Sequence, residues 1–260
     1  MTMNTVKEIG RAIYRAIGYY PVRLNGIPLR GDPYHFRFWR MVNQNKWEND
    51  TFGVLDRYLQ PNSIYLDVGA WIGPTVLYTA QRCQTVYCIE PDYTAYRYLL
   101  WNLDLNRIHN VQPFNVALTE TTGMRQMAAP KDRFGDSSTS LVRQRPGDST
   151  IQVFGMGWAD WLKAIRPATF NLIKIDIEGG EFSLIPAMRD YLAAYKPPLY
   201  LSLHPTFLGT ADRREAMARI VDVMRIYRTC LDSALQPVDP RQLTTDAALD
   251  QLGAYVFVAD

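Results

Sequence analysis

The sequence predicts an α/β fold in which a mostly parallel sheet is doubly wound by helices. Three observations carry this expectation. Short apolar runs recur at Ser63 to Val68, Thr85 to Ile89, Val111 to Leu118, Phe170 to Ile177 and Leu199 to Leu203. Amphipathic stretches of helical length lie between them, and such alternation reads as parallel strands joined by covering helices. One run, Leu172-Ile173-Lys174-Ile175, is almost wholly β-branched or leucine, as suits a strand buried on both faces.

With 260 residues, 47% of them hydrophobic, the chain can build one large domain, or one domain with a small appendage. We divide it into an N-terminal extension, residues 1–50, and a main domain, residues 51–260. Met1 to Tyr20 has a helical rather than a secretory pattern. Val6, Ile9, Ile13 and Ile17 recur at helical spacing, with Lys7, Glu8, Arg11 and Arg15 on the other face. Such a helix is expected to dock on the domain or to form a homodimer. Next, Val22-Arg23-Leu24 and Ile27-Pro28-Leu29 flank Asn25-Gly26, the signal of a hairpin. Residues 129–150 break the alternation. Pro130, Gly135, Pro146 and Gly147 frame a polar stretch, and an irregular loop this long inside a domain is functional or disordered. Gly253 to Val258 reads as a last strand.

Composition excludes several classes. The formal net charge of +2 is nearly balanced, which argues against nucleic acid as an obligate partner. Cys83, Cys88 and Cys230 form no C-x-x-C pair and read as small buried hydrophobes in a reducing, cytoplasmic compartment. No apolar run reaches the roughly 18 residues of a membrane span. The G-x-S-x-G and H-E-x-x-H hydrolase motifs are absent.

The chemistry concentrates at strand ends. Tyr65-Leu66-Asp67-Val68-Gly69-Ala70-Trp71-Ile72-Gly73 is a strand ending in an acid and then a turn with two glycines, before a helix that starts at Pro74. A nicotinamide site wants G-x-G-x-x-G. Here Trp71 and Pro74 occupy two of those glycine positions. A tryptophan there obstructs a pyrophosphate, whereas S-adenosylmethionine has none. Asp67 can accept hydrogen bonds from a cationic amino-acid moiety. Glu90 ends the next strand about twenty residues after Gly69, where an acid accepts ribose hydroxyls. Together these features point to an adenosine-type cofactor.

The third signal is Ile173-Lys174-Ile175-Asp176-Ile177-Glu178-Gly179-Gly180-Glu181, a central strand ending in acids. Lys174 and Asp176 share a face. A buried lysine must be paired, with Asp67 or Asp176 as the natural partner. A structural Lys174–Glu181 pair is the alternative. The fourth is His204, at the end of the strand Leu199 to Leu203, beside Asp176 in this topology; His35 and His109 lack such context. Two acids and a histidine could also take a divalent ion, though nothing in the spacing forces one, and no metal is assigned.

These stretches resemble the FkbM family of methyltransferases, from about Trp47 to Pro205. The specific part is Ile173 to Glu181, similar to the family's lysine-isoleucine-aspartate-x-glutamate-glycine-x-glutamate signature. Trp47-Glu48, Asp67 to Gly73, Glu90-Pro91, Asn115 to Leu118 and Ser137 to Leu141 also match family positions. The resemblance implies a Rossmann-like methyltransferase fold, with a seven-stranded sheet and an antiparallel C-terminal strand. It implies O-methylation by S-adenosylmethionine of a hydroxyl on a sugar, glycan or polyketide-like acceptor. Glu48, Asp67, Gly69, Ala70, Trp71, Ile72, Gly73, Glu90, Pro91, Asn115, Ala117 and Asp176 are the expected cofactor-binding residues. His204, Asp176, Lys174 and Glu178 are the expected catalytic ones, with His204 as proton acceptor because an unperturbed imidazole is largely neutral at pH 7. Two departures stand out: Trp71, where asparagine is common, and Ser202, where an acid often precedes the histidine. The loop from Lys131 to Arg145 is expected to cover the acceptor, and its Arg133, Arg143 and Arg145 either meet an anionic group or are solvated. The rival readings are a nucleotide-dependent oxidoreductase and a cofactor-binding scaffold without catalysis.

Overall fold

A seven-stranded sheet of order β11-β12-β10-β9-β3-β4-β5 forms the centre of the computed structural model, which describes residues 12–130, 133–143 and 145–259. Five adjacent strands, β3 (Ile64–Val68), β4 (Thr85–Ile89), β5 (Val111–Phe114), β9 (Leu172–Ile175) and β10 (Leu199–Leu203), run parallel to one another. The last strand, β12 (Gly253–Val258), runs antiparallel between β10 and β11 (Thr229–Asp232). This is the doubly wound sheet with an antiparallel terminal strand that the sequence predicts. From β3 the chain steps outward to β4 and β5, then returns to place β9 on the other side of β3. Strand order reverses between β3 and β9, so ligands are expected at the carboxyl ends of these two strands.

Alternation along the strands feeds two cores. Leu66, Ile173 and Leu201 face Trp161, Leu184 and Ile220, from helices α6 (Trp158–Ile165), α7 (Glu181–Ala187) and α9 (Arg213–Met224). Tyr65, Leu172 and Tyr200 face the opposite way, toward Phe52 of α3 (Asn49–Tyr58), Leu77 of α4 (Pro74–Thr79) and Leu99 of α5 (Tyr93–Leu105). On that second face Asp67 and Lys174 lie side by side in register, so an apolar surface turns polar near the strand ends.

The N-terminal extension shares this second core. Asn25 and Gly26 both adopt positive φ, 42° and 86°, and close the hairpin of β1 (Tyr20–Leu24) and β2 (Ile27–Gly31). Val22, Leu24 and the fully buried Trp39 of α2 (Phe36–Asn43) belong to the same cluster as Leu77 and Leu99. Helix α1 is described over 12–17, with Ile13 and Ile17 exposed; Val6, Lys7, Glu8, Ile9 and Arg11 lie outside the described residues. No helix among the described residues is long and apolar enough to cross a membrane. All three cysteines are buried and free.

One expectation needs correction. The run Val111 to Leu118 is not one strand. Pro113 has no N–H to donate, and the chain leaves β5 at Asn115, whose amide donates to the Glu90 and Pro91 carbonyls at 2.8 and 3.1 Å. It re-enters as β6 (Ala117–Thr119) in a second, three-stranded sheet with β7 (Gly123–Ala129) and β8 (Ser149–Gly157). The irregular stretch 129–150 is the crest of the long antiparallel β7–β8 hairpin.

Candidate active site

The carboxyl ends of β3, β9 and β10 bring Asp67, Lys174, Asp176, Glu178 and His204 together. Lys174 is buried, with its ammonium 3.2 Å from Asp176 Oδ2 and 3.6 Å from Asp67 Oδ1. Both anticipated partners are therefore used, and Glu181 is engaged elsewhere. Burial alone would lower the Lys174 pKa, but Asp176, Asp67 and Glu48 raise it well above its ordinary value. Asp67 is fully buried and also accepts from Thr75 Oγ1 at 2.5 Å. Its carboxylate faces Lys174 and Thr75. Burial pushes the Asp176 carboxyl up, but Lys174 and His204 outweigh it, and Ser202 adds a hydrogen bond, so the carboxyl lies below its ordinary range.

His204 is held by Glu181, which is itself fully buried. One Glu181 oxygen accepts the His204 backbone N–H at 2.6 Å and lies 3.2 Å from Nδ1; the other accepts the Gly179 N–H. Nε2 points to Asp176 Oδ1 at 3.5 Å and Glu178 Oε1 at 3.9 Å. Burial works against the charged ring, but the Glu181, Glu178 and Asp176 carboxylates raise its pKa to about 9. Held among three carboxylates, the imidazole favours its protonated form. Glu178 takes the opposite character: burial lifts it to about 7, opposed by His204. Asp176, Glu178 and His204 each offer a ligand atom, all within 4.8 Å of one another, a spacing that could admit a divalent cation. The imidazolium already supplies positive charge there.

Two cavities flank this cluster. The first is a narrow space of about 60 Å³ against the ends of β3 and β4. Glu90, Pro91 and Ala117 form one side, with Ile89, Leu118 and Met127 as apolar wall. Glu90 accepts one backbone N–H on each oxygen, from Trp71 and Asp92, both at 2.8 Å. Each oxygen keeps a lone pair for a further donor. Burial raises Glu90 to about 8. The second cavity, about 590 Å³, is walled by Phe38, Trp47, Glu48, Thr51, Tyr200 and His204, among others. Gly69, Trp71, Asp176, Glu178 and Ser137 border both.

Not every expected cofactor residue reaches a cavity. Glu48, Gly69, Ala70, Trp71, Glu90, Pro91, Ala117 and Asp176 do. Ile72 is core, Gly73 packs under Leu99, and Asn115 braces the Glu90–Pro91 backbone. Gly69 has φ of +89°, and a Cβ there would sit 1.9 Å from the Asp176 carbonyl oxygen. Its bareness makes room for β9 as well as for a ligand, so the first consequence of a side chain at 69 is a backbone clash. The β7–β8 crest borders both cavities. Asp136, Thr139 and Leu141 line the first cavity, and Ser137 lines both, so the crest roofs the Glu90 side more than the larger cavity. Arg143 stacks over Phe207 at 4.1 Å, and Arg133 and Arg145 are exposed; Lys131 lies outside the described residues. Phe38 is a contributor that strand-end reasoning overlooks, because it belongs to the extension, and Glu181, the alternative partner of Lys174, holds His204 instead.

The profile of the methyltransferase FkbM domain matches residues 67–227. Among solved structures, the chain is similar to the methyltransferase FkbM of Methylobacillus flagellatus KT, at 19% identity and a TM-score of 0.47, over 76% of this chain and 44% of that one. The chain therefore spans less than half of that protein. It is also similar to a TehB-like SAM-dependent methyltransferase of Corynebacterium glutamicum, at 12% identity and a TM-score of 0.46, over 87% and 96% of the two chains. SMU.1697c of Streptococcus mutans, solved with SAH, matches at 10% identity and a TM-score of 0.46, over 79% and 93%. Among curated proteins none matches significantly.

Proposed function

The chain belongs to the FkbM methyltransferase family, and from that premise we propose that it moves a methyl group from S-adenosylmethionine to a hydroxyl of a sugar-like or polyketide-like small molecule. The observation that carries this reading is the shared wall. Two cavities of different chemistry meet at Asp176 and Glu178. The narrow one has the lining for an adenosyl group, and at about 60 Å³ it must widen to admit one: an apolar slot beside Glu90, whose free lone pairs can accept two ribose hydroxyls. The acids at the seam suit a sulfonium cation. The wide one offers the aromatic faces of Phe38 and Trp47 with polar groups from Glu48, Thr51 and Ser202, a lining suited to an acceptor rich in hydroxyls.

When bound, the donor supplies an electrophilic methyl on sulfur; the chain must align the attacking oxygen and accept its proton. Alignment of this kind is worth about 7–11 kcal/mol. Lys174 holds Asp176 ionised, so that Asp176 can accept a hydrogen bond from the incoming hydroxyl and fix its direction. Glu178 has the better-matched pKa for the proton itself, about 7. His204, positioned by Glu181, stays cationic and favours the ionised form of Glu178. We therefore assign proton acceptance to Glu178 and electrostatic support to His204. As the oxygen–methyl bond forms and the sulfur–methyl bond breaks, the hydroxyl proton passes to Glu178 and then to water, and S-adenosylhomocysteine leaves.

Calorimetry with S-adenosylhomocysteine and with NAD tests the donor: we expect the first to bind and the second not. Mass-spectrometric detection of S-adenosylhomocysteine across a panel of sugar and polyketide hydroxyl acceptors, with amine and carbon acceptors beside them, tests the reaction. Preference for NAD overturns the donor assignment, and methylation confined to amine or carbon acceptors overturns O-transfer.

A further inference from the structure

Trp71 has an unusual position for a large side chain. Its φ of +50° is in the left-handed region, which bulky residues rarely occupy and which costs free energy unless neighbours enforce it. Its backbone N–H is bound to Glu90 Oε2 at 2.8 Å, which fixes the turn. That geometry sends the indole between the two cavities, with its ring edge-on to Phe38 at 4.6 Å and His35 at 5.9 Å. There the indole Nε1 donates to the Gly135 carbonyl at 2.7 Å.

Gly135 belongs to the crest that roofs the Glu90 cavity, and it is gripped from both sides. Its N–H donates to Asp92 Oδ2 at 2.6 Å, while the other Asp92 oxygen caps α5 through Thr94 and Ala95. Gly135 has φ of +85°, and a Cβ there would stand 2.8 Å from Thr94 Cγ2, so only glycine fits so close to the helix. The neighbouring crest residues Asp136, Ser137, Thr139 and Leu141 line the cavity. Further along, Ser140 Oγ donates to the Glu178 carbonyl at 2.6 Å. A group lodged against Glu90 has this roof across its way out, and the roof is fastened at Gly135 to a floor residue, Trp71, and a helix cap, Asp92.

We propose that Trp71 and Asp92 form a latch on Gly135 that sets how fast the donor enters and the spent donor leaves. This rests on the assignment of the Glu90 cavity to S-adenosylmethionine. Trp71 is then a positioning residue for the roof. Because the latch joins protein to protein, it contributes to the barrier for entry and for exit alike. Breaking it raises both rate constants together and leaves the equilibrium constant nearly fixed. Loss of a direct contact with the ligand would raise the exit rate alone and weaken binding.

The test is rapid-filtration exchange of radiolabelled S-adenosylhomocysteine on the full chain. Trp71→Phe keeps the ring and removes the N–H. Asp92→Asn keeps an oxygen for the helix cap and turns an amide donor toward the Gly135 N–H. In Asp92→Asn, whose side chain lines neither cavity, we expect association and dissociation to rise together by about five- to tenfold, the equivalent of one hydrogen bond, with Kd within about twofold of wild type; in Trp71→Phe, which borders both cavities, association should rise by the same factor. Thermal melting checks that each variant folds, and Trp71→Phe carries the test if Asp92→Asn does not. Faster dissociation with a matching loss of affinity overturns the latch and makes Trp71 a ligand contact. Unchanged rates in both variants, with a wild type that binds, overturn the latch alone. A wild type that does not bind S-adenosylhomocysteine overturns the donor assignment, and the latch with it.

Discussion

Glu178 and His204 are expected to titrate as partners, and the distance between them fixes how strongly. Nε2 lies 3.9 Å from Glu178 Oε1. At that separation two unit charges interact by about 1 kcal/mol in water and about 4 kcal/mol at the effective dielectric of a site near a protein surface. At 1.36 kcal/mol per unit, this is roughly 0.8 to 3 pKa units. His204 titrates at about 9 and Glu178 at about 7, so Glu178 is ionised throughout the range in which the ring loses its proton. Glu178→Gln removes that negative charge and should bring the ring down to between about 6 and 8. The sign for stability follows. A histidine raised in the folded state gives stability that is complete below its ordinary pKa and lost as pH climbs through about 9. In Glu178→Gln that loss should be smaller and complete at a lower pH. The chain has three histidines, so ring proton NMR resolves them, and His204→Gln identifies the resonance. No acceptor is needed. A wild-type ring that titrates near its ordinary value, or one that Glu178→Gln leaves unmoved, would refute both the imidazolium and the base assigned beside it.

Three further outcomes are expected. Affinity for S-adenosylhomocysteine should rise with pH through about 8, as Glu90 ionises and becomes a charge-assisted acceptor; Glu90→Gln should abolish that rise and cost about 1.5–3 kcal/mol, read by calorimetry from pH 6 to 9. Gly69→Ala should lose on the order of 2 kcal/mol of stability or more before any ligand is added, because its Cβ meets the Asp176 carbonyl at positive φ; an unchanged melting temperature counts against this. Trp39→Ala should cost about 3–5 kcal/mol in urea unfolding, since the indole is fully buried between the hairpin and the main domain; a loss near zero would mean that residues 20–43 are a detachable appendage.

The sheet was legible because hydrophobic periodicity speaks directly through buried strands such as Leu172–Ile175. The pairing of Lys174 with Asp67 and Asp176 was legible too, since a cation with two carboxylates on one face has few other places to go. What periodicity cannot convey is a turn made by a side chain. Asn115 drawing the chain out of β5 splits an apolar run that reads as one strand. The β7–β8 ribbon is half-solvated and carries exposed Met124 and Phe154, so it lacks the apolar contrast that marks a strand. The charge state of His204 was hidden for a different reason. It depends on Glu181, which sequence spacing assigns to the next helix and which only the packing of α7 against β10 brings to the ring. The location of the site was thus written in strand ends, while its protonation was written in contacts between elements.

The pairing of β3 with β9 has a consequence for how the chain is made. The Ile64 N–H donates to Asn171 Oδ1, 107 positions further along the chain, and Asp67 faces Lys174 in the same ladder. A ribosome delivering the chain from its N-terminus exposes the open edge of β3 through the synthesis of α4, β4, α5 and the whole β7–β8 ribbon. During that interval Asp67 has no cation. When β9 emerges, a slip of one residue would point Lys174 into the opposite, wholly apolar core, at a cost of several kcal/mol for an unpaired charge. The ion pair therefore favours the native register of a long-range match. The last stage of assembly should be sensitive to salt and to the loss of either charge, even though neither residue forms part of the hydrophobic nucleus.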